Sequence, residues 1–212
     1  REGRVALREG GWRREAIDAL GPERAVPGGA MLRLRPGYLA ARLRAGAGAG
    51  LVVAVSGAGG APFPAAEQRR FAGRGWGYLL MVPAAGGLGL VLDGEVLGVA
   101  EPVEVMGALA GEAAGLRLMA VHGLVGHDVG WLALLRRAAG IERGFVWLHD
   151  FSTLCAGGAL LRNGVAFCGA PREGSDACLV CVHGESRPGH LADVARLLEG
   201  GGFTVVAPSA RA

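Results

Sequence analysis

The chain contains no lysine, so all 22 of its basic side chains are arginines. It also has only two isoleucines and one asparagine, beside 39 glycines. Such a bias is typical of a GC-rich genome and not of a physical requirement. The basic pI of about 8.9 is therefore a weak argument for a nucleic-acid partner. The arginines are dispersed and are not interleaved with aromatic side chains, so we expect no nucleic acid to bind.

The sequence also lacks the run of ~18 apolar residues that a membrane-spanning helix needs. No signal peptide opens the chain, which starts at Arg1, and we expect a piece of a longer protein. All four cysteines lie within residues 155–181. Cysteines crowded into one loop are more typical of ligands in a reducing compartment than of a disulfide framework, so we expect a cytoplasmic location.

Residues 1–100 predict a strand-rich, irregular part. Residues 51–55 and 78–82 are apolar and rich in β-branched or bulky side chains, which favours strands. The Asp93-Gly94 pair between two apolar runs predicts a hairpin. Residues 57–64 are predicted to form a loop. Their glycines do not match the dinucleotide-binding spacing, and Pro62 and Pro64 argue against a helix directly after them.

Residues 101–212 predict a more regular α/β part, in which strands at 116–121, 145–148 and 203–207 alternate with helices at 103–115, 128–139 and 188–199. Asp128 is a good N-cap for the second of these helices. Alternation with short connections is typical of a parallel sheet covered on both faces. The predicted fold class is therefore α/β, with a Rossmann-like parallel sheet flanked by helices.

Three histidines and one acid follow the predicted strands of this part. His149 and Asp150 end one strand, and His122 and His127 bracket the loop after another. The carboxyl ends of parallel strands meet at one edge, where ligands bind. A histidine there can bond to a substrate hydroxyl or phosphate, and the neighbouring acid can tune it. Alternatively, Asp150 caps the following loop, or the three histidines hold a catalytic metal.

The four cysteines have a spacing that suits one metal ion. Cys178 and Cys181 form a Cys-x-x-Cys pair, which can place two sulfurs on one ion through a tight turn. Cys155 and Cys168 complete a four-thiolate set, and His183 is a possible replacement ligand. We expect structural zinc and regard an iron–sulfur cluster as the less favoured alternative. The competing interpretations are small buried side chains or one disulfide.

The second half resembles a group of bacterial GT-B glycosyltransferases that make surface polysaccharides. The resemblance covers about residues 116–212 and rests on the following segments: His122-Gly-Leu-Val-Gly-His127, Phe145-Val-Trp-Leu-His-Asp-Phe151, Cys155, Phe167-Cys-Gly169, Cys178-x-x-Cys181 and Phe203-Thr-Val-Val-Ala-Pro-Ser209. These enzymes usually carry a proline and a basic residue after the first cysteine, where this chain has Ala156-Gly157. The function of that basic side chain is then absent or supplied elsewhere.

The resemblance implies the acceptor-binding N-terminal domain of a two-domain enzyme, with a nucleotide sugar as donor and a glycan or a lipid-linked molecule as acceptor. It implies that the donor-binding C-terminal domain lies outside this chain. His149 and Asp150 are then the catalytic candidates, and His122, His127 and Ser209 the substrate-binding ones. Two other functions stay open: a zinc-braced binding module without catalysis, and a metal-dependent hydrolase built on the three histidines.

Overall fold

The computed structural model describes residues 32–46, 48–58, 63–111, 115–200 and 202–207. Its helices are α1 (Tyr38–Ala45), α2 (Phe63–Ala72), α3 (Pro102–Gly111), α4 (Val129–Ala138), α5 (Asp176–Leu179) and α6 (Arg187–Leu198). Its strands are β1 (Gly50–Val55), β2 (Trp76–Ala84), β3 (Gly87–Leu92), β4 (Glu95–Ala100), β5 (Leu116–Val121), β6 (Arg143–Trp147), β7 (Leu161–Arg162), β8 (Ala166–Phe167) and β9 (Phe203–Val206).

Seven strands form one mostly parallel sheet, in the order β4-β3-β2-β1-β5-β6-β9. The five strands from β2 to β9 in that order are parallel, and β3 and β4 add an antiparallel hairpin at one edge. Strands from residues 1–100 and from residues 101–212 thus join the same sheet. The predicted α/β class, with helices flanking a largely parallel sheet, is confirmed.

Helices cover the two faces of this sheet unequally. Alternate residues of the central strands, such as Val53 and Leu79, belong to the larger core with α3, α4 and α6. The residues between them, including Val52 and Tyr78, form a smaller cluster with Phe71 of α2. Strands buried on both faces are apolar at consecutive positions, which explains why β1 has an unbroken run of apolar residues.

Several local predictions are confirmed by the backbone. Asp128 caps α4, since its carboxylate accepts a hydrogen bond from the backbone N–H of Trp131 at 2.9 Å. Asp93 and Gly94 both adopt positive φ angles, 51° and 85°, as a type I′ hairpin turn requires. Gly140, with φ 63°, follows the end of α4.

The predicted loop at 57–64 is partly wrong, because α2 begins at Phe63 and includes Pro64. Proline is tolerated in the first turn of a helix, where its missing N–H would have had no partner inside the helix. The prolines therefore mark where a helix starts and do not prevent one. The glycine spacing still differs from the dinucleotide-binding pattern. This helix matters for function because it carries a residue of the candidate site.

Candidate functional site

The connections from the neighbouring parallel strands β1 and β5 run in opposite directions along the sheet. The chain leaves β1 toward β2 on one side, whereas β5 leads to β6 and β9 on the other. The loops that follow these neighbouring strands begin with Ser56-Gly57 and His122-Gly123. His122 is tied to this place, since its N–H donates to the carbonyl of Val55 at 2.8 Å. The carboxyl edge at such a divergence is the usual ligand-binding crevice of an open α/β sheet.

The loops after β1, β5 and β6 approach each other closely at this edge, because glycines at the contacts have no side chain. A Cβ on Gly123 would lie 3.2 Å from the N atom of Gly57 and 3.2 Å from Asp150 Oδ2. A Cβ on Gly158, which has φ 67°, would lie 2.5 Å from the side chain of Val125. The loops after β1, β5 and β6 are therefore packed against each other, which fixes the side chains that they carry.

A glutamate of α2 contacts three polar side chains near the carboxyl edge of the sheet. Glu67 accepts hydrogen bonds from the Tyr78 hydroxyl (3.1 Å) and from Trp147 Nε1 (2.9 Å). Its Oε1 also lies 3.3 Å from Nε2 of His122, whose ring is fully enclosed. One carboxylate thus connects β2, β5 and β6.

Glu67 is ionised at neutral pH. Burial raises the pKa of this carboxyl, but the hydrogen bond and charge of His122, together with the Tyr78 and Trp147 donors, lower the pKa to below its usual value. Burial, and then the negative charge of Glu67, raise the pKa of Tyr78, so its hydroxyl stays a donor. An ionised carboxylate only accepts hydrogen bonds, so a proton on Nε2 of His122 suits Glu67; this nitrogen also lies 3.3 Å from the Tyr78 hydroxyl.

His149, two residues beyond the end of β6, extends this arrangement. Its Nε2 lies 3.4 Å from His122 Nδ1, and the two rings are parallel within 4°. In the tautomer of His122 that carries its proton on Nε2, the Nδ1 atom has a lone pair and accepts a hydrogen bond from His149 Nε2. Trp147 lies parallel to both rings at 5.6–6.0 Å and limits their rotation. Glu67, His122 and His149 thus form a chain of polar contacts, the Glu67–His122–His149 relay.

The His149 ring is half-buried and predominantly neutral at neutral pH. Burial lowers its pKa, and so does the nearby His122; the negative charges of Asp150 and Glu67 oppose this only in part. A neutral imidazole can accept a proton from a substrate hydroxyl, and the relay behind it can stabilise the cation that forms. This is the logic by which buried carboxylates support histidine bases in hydrolases.

Asp150 is engaged with the loop that follows it. Its Oδ1 accepts the backbone N–H of Ser152 at 2.8 Å, and the buried Ser152 hydroxyl accepts the N–H of Leu124 at 2.9 Å. The acid therefore braces the loops after β5 and β6, as in the capping interpretation of the sequence. Its charge also acts on His149, so its contribution to the site is electrostatic and positional.

The remaining predicted residues lie apart from the relay. His127 is largely buried, and its Nε2 donates to the carbonyl of Ser56 at 2.9 Å. It thereby joins the loops after β1 and β5. Ser209 lies outside the described residues. Within the described ranges, no three His, Cys, Asp or Glu side chains are arranged as metal ligands, and both nitrogens of His122 already have partners.

The stability of the protein is expected to fall on acidification below about pH 6.5. Burial lowers the pKa of His127 and of His149 below the usual 6.5, so the unfolded chain takes up these protons first. This contribution is complete above pH 6.5 and declines as the pH falls to the folded-state pKa values. Urea unfolding between about pH 8 and pH 5 measures it. His127→Gln should flatten the profile, and an equally steep profile in that variant would contradict the assignment.

The four cysteines surround one small cavity beside this site. Cys155 and Cys178 are buried, Cys168 and Cys181 are partly exposed, and all four are free thiols. The cavity measures about 20 Å³ and is also lined by His183 and Arg187. Backbone N–H groups of His183 and Asn163, and more weakly the charge of Arg162, lower the pKa of Cys181.

Sequence reasoning did not identify Glu67, Tyr78 or Trp147 as site residues. Glu67 is 55 positions from His122 and 80 from Trp147, and it lies on the helix that the prolines obscured. The available signal was its position: the only acid in the segment between β1 and β2.

Comparisons with protein-family models, with curated proteins and with solved structures find no match for this chain. A search of the described helices finds none long and apolar enough to cross a membrane.

Proposed function

We propose that this chain is the acceptor-binding half of a glycosyltransferase with a Rossmann-like, GT-B architecture. In this proposal a second domain of the same protein holds a nucleotide sugar, and this chain binds the glycan or lipid-linked molecule that receives the sugar. The observation that carries the proposal is the Glu67–His122–His149 relay, which ends in a neutral imidazole at the carboxyl edge of the sheet. The similarity of the segment from His122 to Cys181 to such enzymes supports it.

The relay suits the chemistry of sugar transfer. The acceptor hydroxyl donates a hydrogen bond to the His149 imidazole, which fixes its oxygen toward the anomeric carbon. The new carbon–oxygen bond forms there as the bond to the diphosphate breaks, and the hydroxyl proton passes to His149. The cation is stabilised through His122 by the Glu67 carboxylate. Such transfer depends mainly on alignment and on exclusion of water, which the three tightly packed loops favour.

The geometry gives less support to the other two functions. A metal-dependent hydrolase needs ring nitrogens that face a metal, but those of His122 face Glu67 and His149, and Nε2 of His127 faces Ser56. A purely structural module would not require a polar relay at the crevice, since buried polar groups cost free energy unless fully bonded. We further propose that the protein works in the cytoplasm, where nucleotide sugars and reduced thiols occur together.

The proposal is tested by titrating the ¹⁵N-labelled chain with a panel of saccharides and lipid-linked saccharide fragments. We expect saturable amide shifts confined to the loops after β1, β5 and β6, and a loss of these shifts in His149→Ala. The matched control is His190→Ala, because His190 bonds to the carbonyl of Ser152 and lies outside the relay. Shifts caused by Zn²⁺ at the three histidines would favour the hydrolase instead. An absence of shifts with every saccharide would overturn the proposal.

A further inference from the structure

A buried arginine lies against the cysteine cavity without a carboxylate partner. Arg187 is only 7% exposed, and its guanidinium donates to the carbonyls of Leu154 (3.1 Å) and Pro171 (2.5 Å) and to Sγ of Cys178 (3.2 Å). Within the described ranges, no acidic side chain forms an ion pair with it. A buried charge is stable only when it is compensated. In this cavity the available source of negative charge is thiolate sulfur.

The backbone around Cys178 and Cys181 forms two successive tight turns. The N–H of Cys181 donates to the carbonyl of Cys178 at 3.0 Å, and the N–H of Gly184 donates to that of Cys181 at 2.9 Å. Gly184 is required, since a Cβ there would lie 1.7 Å from the Cys178 carbonyl oxygen. The turn is also held from outside, since the N–H of Val182 donates to Oδ1 of Asn163 at 2.8 Å.

The other two cysteines are held at the same cavity by a different part of the chain. The N–H of Cys168, after β8, donates to the carbonyl of Leu160 at 2.8 Å. Asn163, in the turn between β7 and β8, bonds through its side chain to the backbone of Val180 and of Val182. The β7–β8 hairpin is thereby docked onto the Cys178–Cys181 turn, and the buried Cys155 faces both.

We propose that Cys155, Cys168, Cys178 and Cys181 bind one zinc ion, with Arg187 as the compensating charge. Each thiol releases its proton to solvent, so four thiolates around a divalent ion leave two negative charges, one of which Arg187 offsets. The cavity that these side chains line is small, which favours one ion over an iron–sulfur cluster with its inorganic sulfides. No three of these side chains yet form a ligating group in the described structure, so binding includes rotation of the thiols inward.

The site has no part in the proposed sugar transfer; it braces the loop that follows Asp150. Its failure and that of the glycosyltransferase proposal are therefore separable, because metal content is measured without any saccharide.

The first experiment measures metal on the wild-type chain purified without chelators. We expect one zinc per chain by elemental analysis, and release of that zinc in step with modification of four thiols by a mercurial reagent. Replacement by Co²⁺ should give the strong charge-transfer absorption of a four-thiolate site; a weaker band that His183→Ala removes would make His183 a ligand in place of a cysteine and overturn the four-cysteine set.

Variants then test the individual residues. Cys178→Ser and Cys168→Ser should each lose the stoichiometric zinc, whereas Ser175→Ala should keep it. Ser175 is the matched control, because it lies in the same loop and its buried hydroxyl has no hydrogen-bond partner among the described residues. Arg187→Met should weaken Zn²⁺ binding about 10–100-fold, as loss of a group bonded to a ligand does, and Arg187→Lys should restore part of the affinity.

Two results would overturn the inference that the chain binds a single zinc ion. One is a chain that holds no zinc and whose four thiols react equally fast with and without added Zn²⁺. The other is a coloured protein that contains inorganic sulfide, since it would require a cluster in place of a single ion. Both are read on the wild-type chain, so they do not depend on whether any variant folds.

Discussion

Replacing His149 by alanine is expected to lower kcat for sugar transfer by about 10²–10⁴-fold in the protein that carries this chain. That range is the usual contribution of a positioned acid–base group. The physical reason is that the neutral ring supplies the lone pair that aligns the acceptor hydroxyl and takes its proton. Steady-state kinetics with the natural donor and acceptor measure the effect. His190→Ala, the matched control, should change kcat little.

The pH profile separates proton transfer from mere positioning. Because burial and His122 lower the pKa of His149, the wild-type rate should be constant above about pH 6.5 and fall only at lower pH. His149→Gln keeps a hydrogen-bond acceptor but has no proton site in this range, so its residual rate should show no such fall. A profile in this variant with the wild-type inflection would assign the titration to another group. Unchanged kcat in both variants would remove His149 from the reaction.

Replacing Glu67 by alanine is expected to reduce the free energy of unfolding by about 3–5 kcal/mol. The variant leaves the donors of Tyr78, His122 and Trp147 in a buried place without their common acceptor. Each orphaned donor costs about 1–3 kcal/mol, and pairing of the Tyr78 hydroxyl with His122 Nε2, 3.3 Å away, reduces the sum. Urea unfolding at neutral pH measures the loss. Glu142→Ala is the matched control, since this exposed glutamate should change stability by less than about 0.5 kcal/mol.

The pH dependence of this stability identifies the ionised carboxylate as its source. The folded-state pKa of Glu67 lies below the usual 4.5, so its contribution is complete above pH 4.5 and is lost as the pH falls through the folded value. Glu67→Gln, which keeps the shape but not the charge, should be less stable than the wild type at neutral pH. It should also lose less stability on acidification below about pH 4.5. Equal acid sensitivity of the two proteins would show that Glu67 is not the group responsible.

Local patterns predicted much of the fold. The β-branched run before Ser56, the Asp93-Gly94 turn and the Asp128 cap each depend on neighbours a few residues away, and each is found where the sequence places it. The helix at Phe63–Ala72 differs from the predicted loop, because Pro64 lies in its first turn, where proline is tolerated. Where local signals conflict, packing determines the secondary structure. Here Phe71 of the helix packs against Tyr78 and Val52.

The candidate site, too, was predicted only in part from the sequence. Strand periodicity and the parallel α/β pattern were sufficient to bring His122 and His149 to one edge, because the carboxyl ends of parallel strands must meet there. That pattern does not predict the orientation of each side chain. In the structure, His127 bonds to a backbone carbonyl and Asp150 bonds to its own loop. His122 contacts a glutamate 55 positions away. Those orientations depend on contacts between distant segments, whose energies exist only once the sheet and α2 have packed together.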